Sequence, residues 1–129
     1  DITNFANVSG DNFYAHMDAT SLEGTIFEGR VAHGYFILSK AAGLFVEAKK
    51  GPVLLNYGID ECRFTKPVYP GATIGVKLTV KEKIDQEKRS EDDIAKGIVK
   101  FLVDMYDDEG ETVAIATILT MVKKIDQSD

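Results

Sequence analysis

An acidic residue and a histidine stand five residues apart near the start of the chain. Asp11 and His16 lie within residues 9–16, which read SGDNFYAH. Carboxylates and imidazoles are among the side chains most used for proton transfer in enzymes. The spacing predicts a tight turn in which both side chains point at one water molecule, and the apolar neighbours Phe13 and Tyr14 would partly bury them. This segment therefore predicts a pair of residues that activates water.

A second motif follows at residues 29–34, which read GRVAHG and lead into a long apolar segment. If a helix begins here, its free backbone N–H groups and its positive dipole would favour a negatively charged ligand. Gly34 has no side chain and would let that ligand approach the backbone closely. A thioester carbonyl could be polarised at this point while negative charge develops on its oxygen. We therefore predict Asp11, His16 and Gly34 as the catalytic residues.

Each motif taken alone also has a purely structural interpretation. Gly-Asp is a common turn pair, and a lone histidine more often makes a structural hydrogen bond than it transfers a proton. His33, at the predicted helix start, is open to a capping or loop hydrogen bond as well as to a contact with substrate. We assign Phe13, Tyr14 and His33 to substrate binding. Two histidines and the single cysteine make no metal-ligand pattern, so no metal is predicted.

Two helices are predicted in the first third of the chain. Ile2, Phe5 and Val8 recur at helical spacing and predict a short helix before the Asp11 segment. Residues 31–46 contain one charge, Lys40, which predicts a helix that is buried on all sides.

The rest of the chain predicts antiparallel strands. Apolar or alternating segments lie at residues 53–64, 74–81, 99–105 and 113–122, with a hairpin turn at residues 107–110. Strands of ten to twelve residues would reach about 33 to 40 Å, which is long enough to curl across a helix of about 24 Å. We therefore predict an α+β fold in which a curled antiparallel β-sheet wraps around a long buried central helix, the hotdog fold.

Composition limits the class of protein. The 129 residues are 44% hydrophobic and 28% charged, which predicts one globular domain spanning residues 1–129. A net charge of −6 gives no basic field for nucleic acid, and no apolar run is long enough to span a membrane. One cysteine, Cys62, predicts a reducing cytoplasm. The chain begins at Asp1 rather than at Met, from which we expect an upstream N-terminal segment.

The two motifs resemble a known family. Residues 5–11 with His16, followed by residues 29–34, are similar to the signature of MaoC-like, (R)-specific enoyl-CoA hydratases of the hotdog superfamily. One subgroup is similar over further stretches: the C-terminal hydratase domains of the bifunctional ring-opening proteins of bacterial phenylacetate degradation. Those stretches lie at residues 13–18, 32–36, 41–46, 51–53, 56–58 and 118–122, so the similarity covers essentially the whole chain.

The resemblance implies a reaction and a role for each predicted catalytic residue. It implies that Asp11 and His16 hold and activate water while the Gly34 N–H binds the thioester oxygen. Water would add across the α,β double bond of an enoyl-CoA to give an (R)-3-hydroxyacyl-CoA. In the ring-opening subgroup the substrate is oxepin-CoA, and hydration gives a hemiketal that collapses to a ketone and an aldehyde.

The resemblance also implies partners. Coenzyme A enters as part of the acyl-CoA substrate, so no separate cofactor is implied. The partners implied are further copies of this chain, in a homodimer or a higher homo-oligomer, and a fused aldehyde dehydrogenase domain that oxidises the aldehyde.

Two positions depart from the pattern of the family. Phe13 and Tyr14 stand where many members have Asn-Pro, and Ala42 stands where some have serine. The aromatic pair would shape the pocket against a straight-chain substrate, although packing in the core explains it equally well. Two other functions remain open: a hotdog thioesterase that directs water to the carbonyl carbon, and a non-catalytic acyl-CoA-binding or dimerisation module.

Overall fold

A computed structural model describes residues 1–125. In chain order its elements are α1 (Ile2–Ser9), α2 (Tyr14–Met17), a 3₁₀ turn (Ala19–Ser21), α3 (Gly34–Phe45), β1 (Val53–Phe64), β2 (Gly75–Asp85), β3 (Lys96–Tyr106) and β4 (Thr112–Lys123). Among these residues, no helix has both the length and the apolar character needed to cross a membrane.

The four strands form one antiparallel sheet in the order β1-β4-β3-β2. The two central strands, β3 and β4, are the better buried, whereas β1 and β2 lie at the edges and are largely exposed. A turn with Gly110 at a φ of 78° joins β3 to β4, as the acidic sequence there predicts. The predicted α+β architecture is confirmed.

The described residues fall into two compact units. The first contains Asp1–Val46, Phe64–Val76 and Met105–Ala114, and therefore all three helices. Its core includes a cluster of Ala15, Leu22 and Val31, against which Phe27 and Tyr69 pack. The second contains Glu47–Arg63, Lys77–Asp104 and the chain from Ile115 onward, which are the greater parts of the four strands. A single domain over residues 1–129 stays a prediction.

Helix α3 is shorter than the sequence predicts and is not buried on all sides within this chain. It begins at Gly34 rather than at residue 31, and it buries Ile37 and Ala41 while Tyr35 is 69% exposed. The backbone explains the later start, because the Val31 N–H donates to the Ala15 carbonyl and the Ala32 N–H donates to the Val68 carbonyl. Residues held in this way are extended and cannot join the helix.

The ring of Phe64 lies against the first residue of α3. A Cβ atom added to Gly34 would be 2.6 Å from this ring, closer than real contacts allow. The same ring makes an edge-on contact with Tyr35, with 6.3 Å between the centroids. The packing of Phe64 at the end of β1 therefore favours glycine at position 34, because a larger residue would have to displace the ring.

The turn between β3 and β4 is held by an ion pair. Lys66 Nζ lies 2.6 Å from Asp107 Oδ2 and 2.6 Å from Glu111 Oε2. Asp107 Oδ1 accepts hydrogen bonds from the backbone N–H groups of Glu109 and Glu111, each at 3.0 Å. The hydrogen bond from Lys66 is the main reason that the pKa of Asp107 is below its usual value.

We predict that this carboxylate makes stability depend on acid pH. Because the folded state lowers the pKa of Asp107, its contribution is complete above the unfolded pKa of about 3.9 and is lost as pH falls through the lower folded value. Asp107→Asn keeps an oxygen acceptor but removes the charge, so its free energy of unfolding should change less between about pH 5 and pH 2 than that of the wild type. Urea denaturation at several pH values measures this. Asp108 is an exposed neighbour in the turn, and Asp108→Asn should keep the wild-type dependence of the unfolding free energy on pH. The prediction is contradicted if the wild type, Asp107→Asn and Asp108→Asn all show the same pH dependence.

The contact between Gly34 and Phe64 gives a second prediction. Gly34→Ala should lower the free energy of unfolding by about 1–3 kcal/mol, since the added methyl group displaces the ring. Gly43→Ala in the same helix meets nothing within 4 Å and should instead stabilise the protein by up to about 1 kcal/mol through helix propensity. Thermal and urea unfolding of both variants measure the difference. In a Phe64→Ala background, Gly34→Ala should no longer lower the free energy of unfolding. If the Gly34→Ala and Gly43→Ala variants are equally stable, the clash with Phe64 does not exist.

Candidate functional site

Asp11 lies in a turn that follows α1. The helix ends at Gly10, whose φ of 80° is left-handed and turns the chain out of the helix. The Asp11 N–H then donates to Ser9 Oγ at 3.1 Å, and Asp11 Oδ1 accepts from the Phe13 N–H at 3.2 Å. This local turn occupies one carboxylate oxygen, so Oδ2 remains to act on something else.

His16 lies on α2, and its ring has a defined hydrogen position. Nδ1 is 2.6 Å from the Val31 carbonyl oxygen. Because a carbonyl can only accept a hydrogen bond, Nδ1 carries the hydrogen, and in the neutral ring Nε2 carries the lone pair. Nε2 lies 4.0 Å from Asp11 Oδ2. The structure therefore brings Asp11 and His16 together as the sequence predicts, and when the imidazole is neutral two hydrogen-bond acceptors lie across a gap from each other.

The gap between these two acceptors has the dimensions of a water site. If a water oxygen lay about 2.8 Å from each of these two atoms, the angle from Oδ2 through the water oxygen to Nε2 would be about 90°. This is near the angle between the two O–H bonds of water. The side chain of Asp11 is 42% exposed and that of His16 is 13% exposed. The pair is therefore open to solvent on the carboxylate side and enclosed on the imidazole side.

Arg30 braces the segment that holds the pair, a contact that the sequence analysis did not predict. Its Nε donates to the His16 carbonyl at 2.7 Å, and its Nη2 donates to Thr3 Oγ1 at 2.7 Å. One guanidinium therefore joins α1 to the end of α2, the two elements on either side of Asp11. The only available sequence signal was its position directly before residues 31–34, which does not reveal either contact.

His33 is buried beside the pair and contacts both members. Its side chain is 1% exposed, and Nε2 lies 3.0 Å from the backbone carbonyl oxygen of Asp11. Its ring stacks on the ring of His16, with centroids 3.8 Å apart and planes at 21°. A side chain this deeply buried offers a substrate no surface, so its contacts do not support the predicted role in substrate binding.

Gly34 follows His33 directly and is the first residue of α3. Among residues 1–125, its backbone N–H has no hydrogen-bond acceptor, as expected for the first turn of a helix. We predicted that the missing side chain leaves room for a ligand. That reason was wrong, because the ring of Phe64 fills the space beside the α-carbon. The N–H group itself remains a candidate for binding an oxygen atom.

Phe13 and Tyr14 lie close to the pair and are largely exposed. Their rings meet edge-on with centroids 4.7 Å apart, and Phe13 also meets His16 edge-on at 5.9 Å. Phe13 is 55% exposed and Tyr14 is 43% exposed. They are therefore not core residues of this chain, and their role in substrate binding stays a prediction.

The same residues include three potential metal ligands. One ligand atom from each of Asp11, His16 and His33 lies within 4.8 Å of the others. The two stacked imidazole planes are nearly parallel, however, so the nitrogen lone pairs, which lie in those planes, do not converge on one point. In addition, His16 Nδ1 and His33 Nε2 already bond to backbone carbonyls. The absence of a bound metal or cofactor remains a prediction.

Comparison with known proteins places these residues in a family. The sequence matches the family described as "MaoC like domain" over residues 1–100. It is 55% identical over 95 residues to "Protein MaoC" of Klebsiella aerogenes, a match that covers 74% of this chain and 28% of that protein. The chain thus spans little more than a quarter of the length of this curated relative.

Solved structures give the same fold. The monoamine oxidase regulatory protein from Archaeoglobus fulgius is 28% identical with a TM-score of 0.84, covering 97% of this chain and 81% of that one. The R-hydratase PhaJ1 from Pseudomonas aeruginosa, in its unliganded form, is 26% identical with a TM-score of 0.67, covering 99% and 78%. The predicted hotdog fold class is confirmed. Since the family match spans most of the chain, this protein belongs to the MaoC-like domain family.

Proposed function

We propose that this protein is a hydratase that adds water across a double bond conjugated to a coenzyme A thioester. The observation that carries the proposal is the 4.0 Å gap between Asp11 Oδ2 and His16 Nε2, both acceptors when the imidazole is neutral. Membership of the MaoC-like family and the similarity to an R-hydratase of known structure support it.

The geometry supports a sequence of proton transfers. A water molecule held by both acceptors gives a proton to one of them as its oxygen bonds to the β-carbon of the substrate. The electron pair of the double bond moves toward the thioester oxygen, where the Gly34 N–H and the helix N-terminus stabilise the negative charge. The α-carbon then takes a proton from the Asp11–His16 pair, which replaces the proton that the pair received from water. The product is an (R)-3-hydroxyacyl-CoA.

We propose oxepin-CoA as the preferred substrate, in the manner of PaaZ-type enzymes of phenylacetate catabolism. Phe13 and Tyr14 support this choice, because two exposed aromatic faces beside His16 suit a flat, unsaturated ring. Hydration of the ring would give a hemiketal that opens to a ketone and an aldehyde. A fused aldehyde dehydrogenase that consumes this aldehyde is part of the proposal, as is the cytoplasmic location.

We predict that Asp11→Asn abolishes hydration while the protein stays folded. Asparagine keeps the oxygen that accepts from the Phe13 N–H, so the turn is preserved, but it cannot take a proton from water. Loss of an acid/base group should lower kcat by about 10²- to 10⁴-fold. The measurement is the loss of enoyl absorbance from crotonyl-CoA, with circular dichroism to confirm folding. Glu23→Gln, an exposed carboxylate in the same irregular segment, should keep the wild-type rate.

The same assay separates the other functions. Release of free thiol identifies a thioesterase, because hydration leaves the thioester bond intact. Binding of acyl-CoA with neither release of thiol nor loss of enoyl absorbance identifies a binding module. Either result, or a folded and active Asp11→Asn variant, rejects the hydratase. Comparing kcat/KM for oxepin-CoA and crotonyl-CoA tests the substrate: a higher value for crotonyl-CoA rejects the ring-opening assignment alone.

We also propose that the protein forms a homodimer or a higher homo-oligomer. Strand β1 is an edge strand whose large apolar residues are exposed within this chain: Val53, Leu54, Leu55, Tyr57 and Ile59, at 39–55%. An exposed apolar edge of this length invites pairing with another chain. Sedimentation equilibrium should give at least twice the mass of the chain, and Leu55→Lys should shift the protein toward monomer. A monomeric wild type rejects this part of the proposal.

A further inference from the structure

His33 is the most buried of the polar side chains that the structure describes, and its contacts are concentrated on the proposed site. It is 1% exposed, bonds through Nε2 to the backbone of Asp11, and stacks on the ring of His16. Its ring is also tilted against that of Phe5, with centroids 4.8 Å apart. One side chain thus contacts both members of the water-holding pair without being exposed itself.

The hydrogen bonds define the form of the imidazole. The Asp11 carbonyl accepts, so Nε2 of His33 donates, and in the neutral ring Nδ1 carries a lone pair. That Nδ1 is buried and has no hydrogen-bond partner among the described residues. An unpartnered buried acceptor lowers stability. A phenylalanine would fill the same space without this cost, so packing alone does not explain a histidine here; the donor at Nε2 does.

We infer that His33 is a positioning residue for the Asp11–His16 pair, an inference that rests on the proposed hydratase function. Its hydrogen bond holds the backbone of Asp11, while its stacked face limits rotation of the His16 ring. Together these contacts set the separation of Asp11 Oδ2 and His16 Nε2 across which water is held. His33 acts through these two residues and contacts neither water nor substrate.

Two variants separate the hydrogen bond from the stacked ring. His33→Phe keeps an aromatic ring over His16 but loses the donor, and His33→Gln keeps a donor near the position of Nε2 but loses the ring. Because misplacement of reacting groups by about 1 Å can cost about 10²-fold in rate, each should lower kcat by about 10- to 100-fold. KM for crotonyl-CoA should change less than about threefold, since the substrate contacts are untouched.

A matched control measures the effect of lost packing alone. Ile37→Val removes one methyl group from a buried residue of α3 and leaves both histidines in place. It should lower the thermal midpoint without changing kcat. If the two His33 variants behave in this way, with a lower midpoint and unchanged kcat, His33 is merely structural and the inference is overturned. A raised KM with unchanged kcat overturns it too, because that result indicates contact with substrate.

A measurement independent of turnover separates this inference from the proposed function. The Nδ1–H of His16 is held against the Val31 carbonyl, and ¹⁵N-edited NMR of the free protein follows its exchange with solvent. Exchange should be at least about tenfold faster in both His33 variants, because the His16 ring is freer to rotate. If the wild type fails to hydrate crotonyl-CoA and oxepin-CoA, the proposed function fails while this measurement still decides the positioning role. Unchanged exchange in both variants overturns the inference whatever the enzyme assay shows.

Discussion

The hydrogen bond between His16 Nδ1 and the Val31 carbonyl is the constraint on which the site depends. At 2.6 Å it fixes the hydrogen on Nδ1, because a carbonyl cannot donate. If the hydrogen were on Nε2, the imidazole could bond directly to Asp11 and leave no gap for water. The neutral ring instead presents a lone pair to a carboxylate 4.0 Å away. A backbone carbonyl thus determines which atoms of the pair are available for chemistry.

The residues around Val31 extend this constraint along the whole Asp11 segment. Val31 also donates through its N–H to Ala15, Arg30 donates to the His16 carbonyl, and His33 donates to the Asp11 carbonyl. Residues 30–33 therefore run alongside residues 11–16 and bond to them repeatedly. One of these bonds also contributes to the late start of α3 at Gly34: the backbone N–H of Val31 is bonded to Ala15, as that of Ala32 is to Val68. Val31 therefore takes part both in positioning His16 and in delaying the start of the helix.

The sequence predicts the parts of this arrangement that are local. Asp11 and His16 are close in the chain, so turn residues and spacing suffice to predict their meeting, and alternating apolar residues predict the strands. The contacts that refine the site join distant residues: Arg30 bonds to Thr3, and the ring of Phe64 covers Gly34. No periodicity or motif encodes such contacts, because they depend on how β1 and the loops pack. The same limit explains the error about Gly34. The sequence shows a glycine at this position, but it does not show that the ring of Phe64 fills the space beside it.

Burial changes steeply across the site in a direction that suits a reaction with an external substrate. His33 is 1% exposed, the side chain of His16 is 13% exposed and that of Asp11 is 42% exposed. His33, the most buried of the three, contacts both of the others, so orientation is imposed from the core while access is kept at the surface. This arrangement lowers stability at His33, because its buried Nδ1 has no hydrogen-bond partner among the described residues. This asymmetry suits the proposed holding of water between two acceptors. Burying the carboxylate as well would exclude a substrate, and exposing the histidines would loosen the contacts that keep the acceptors apart.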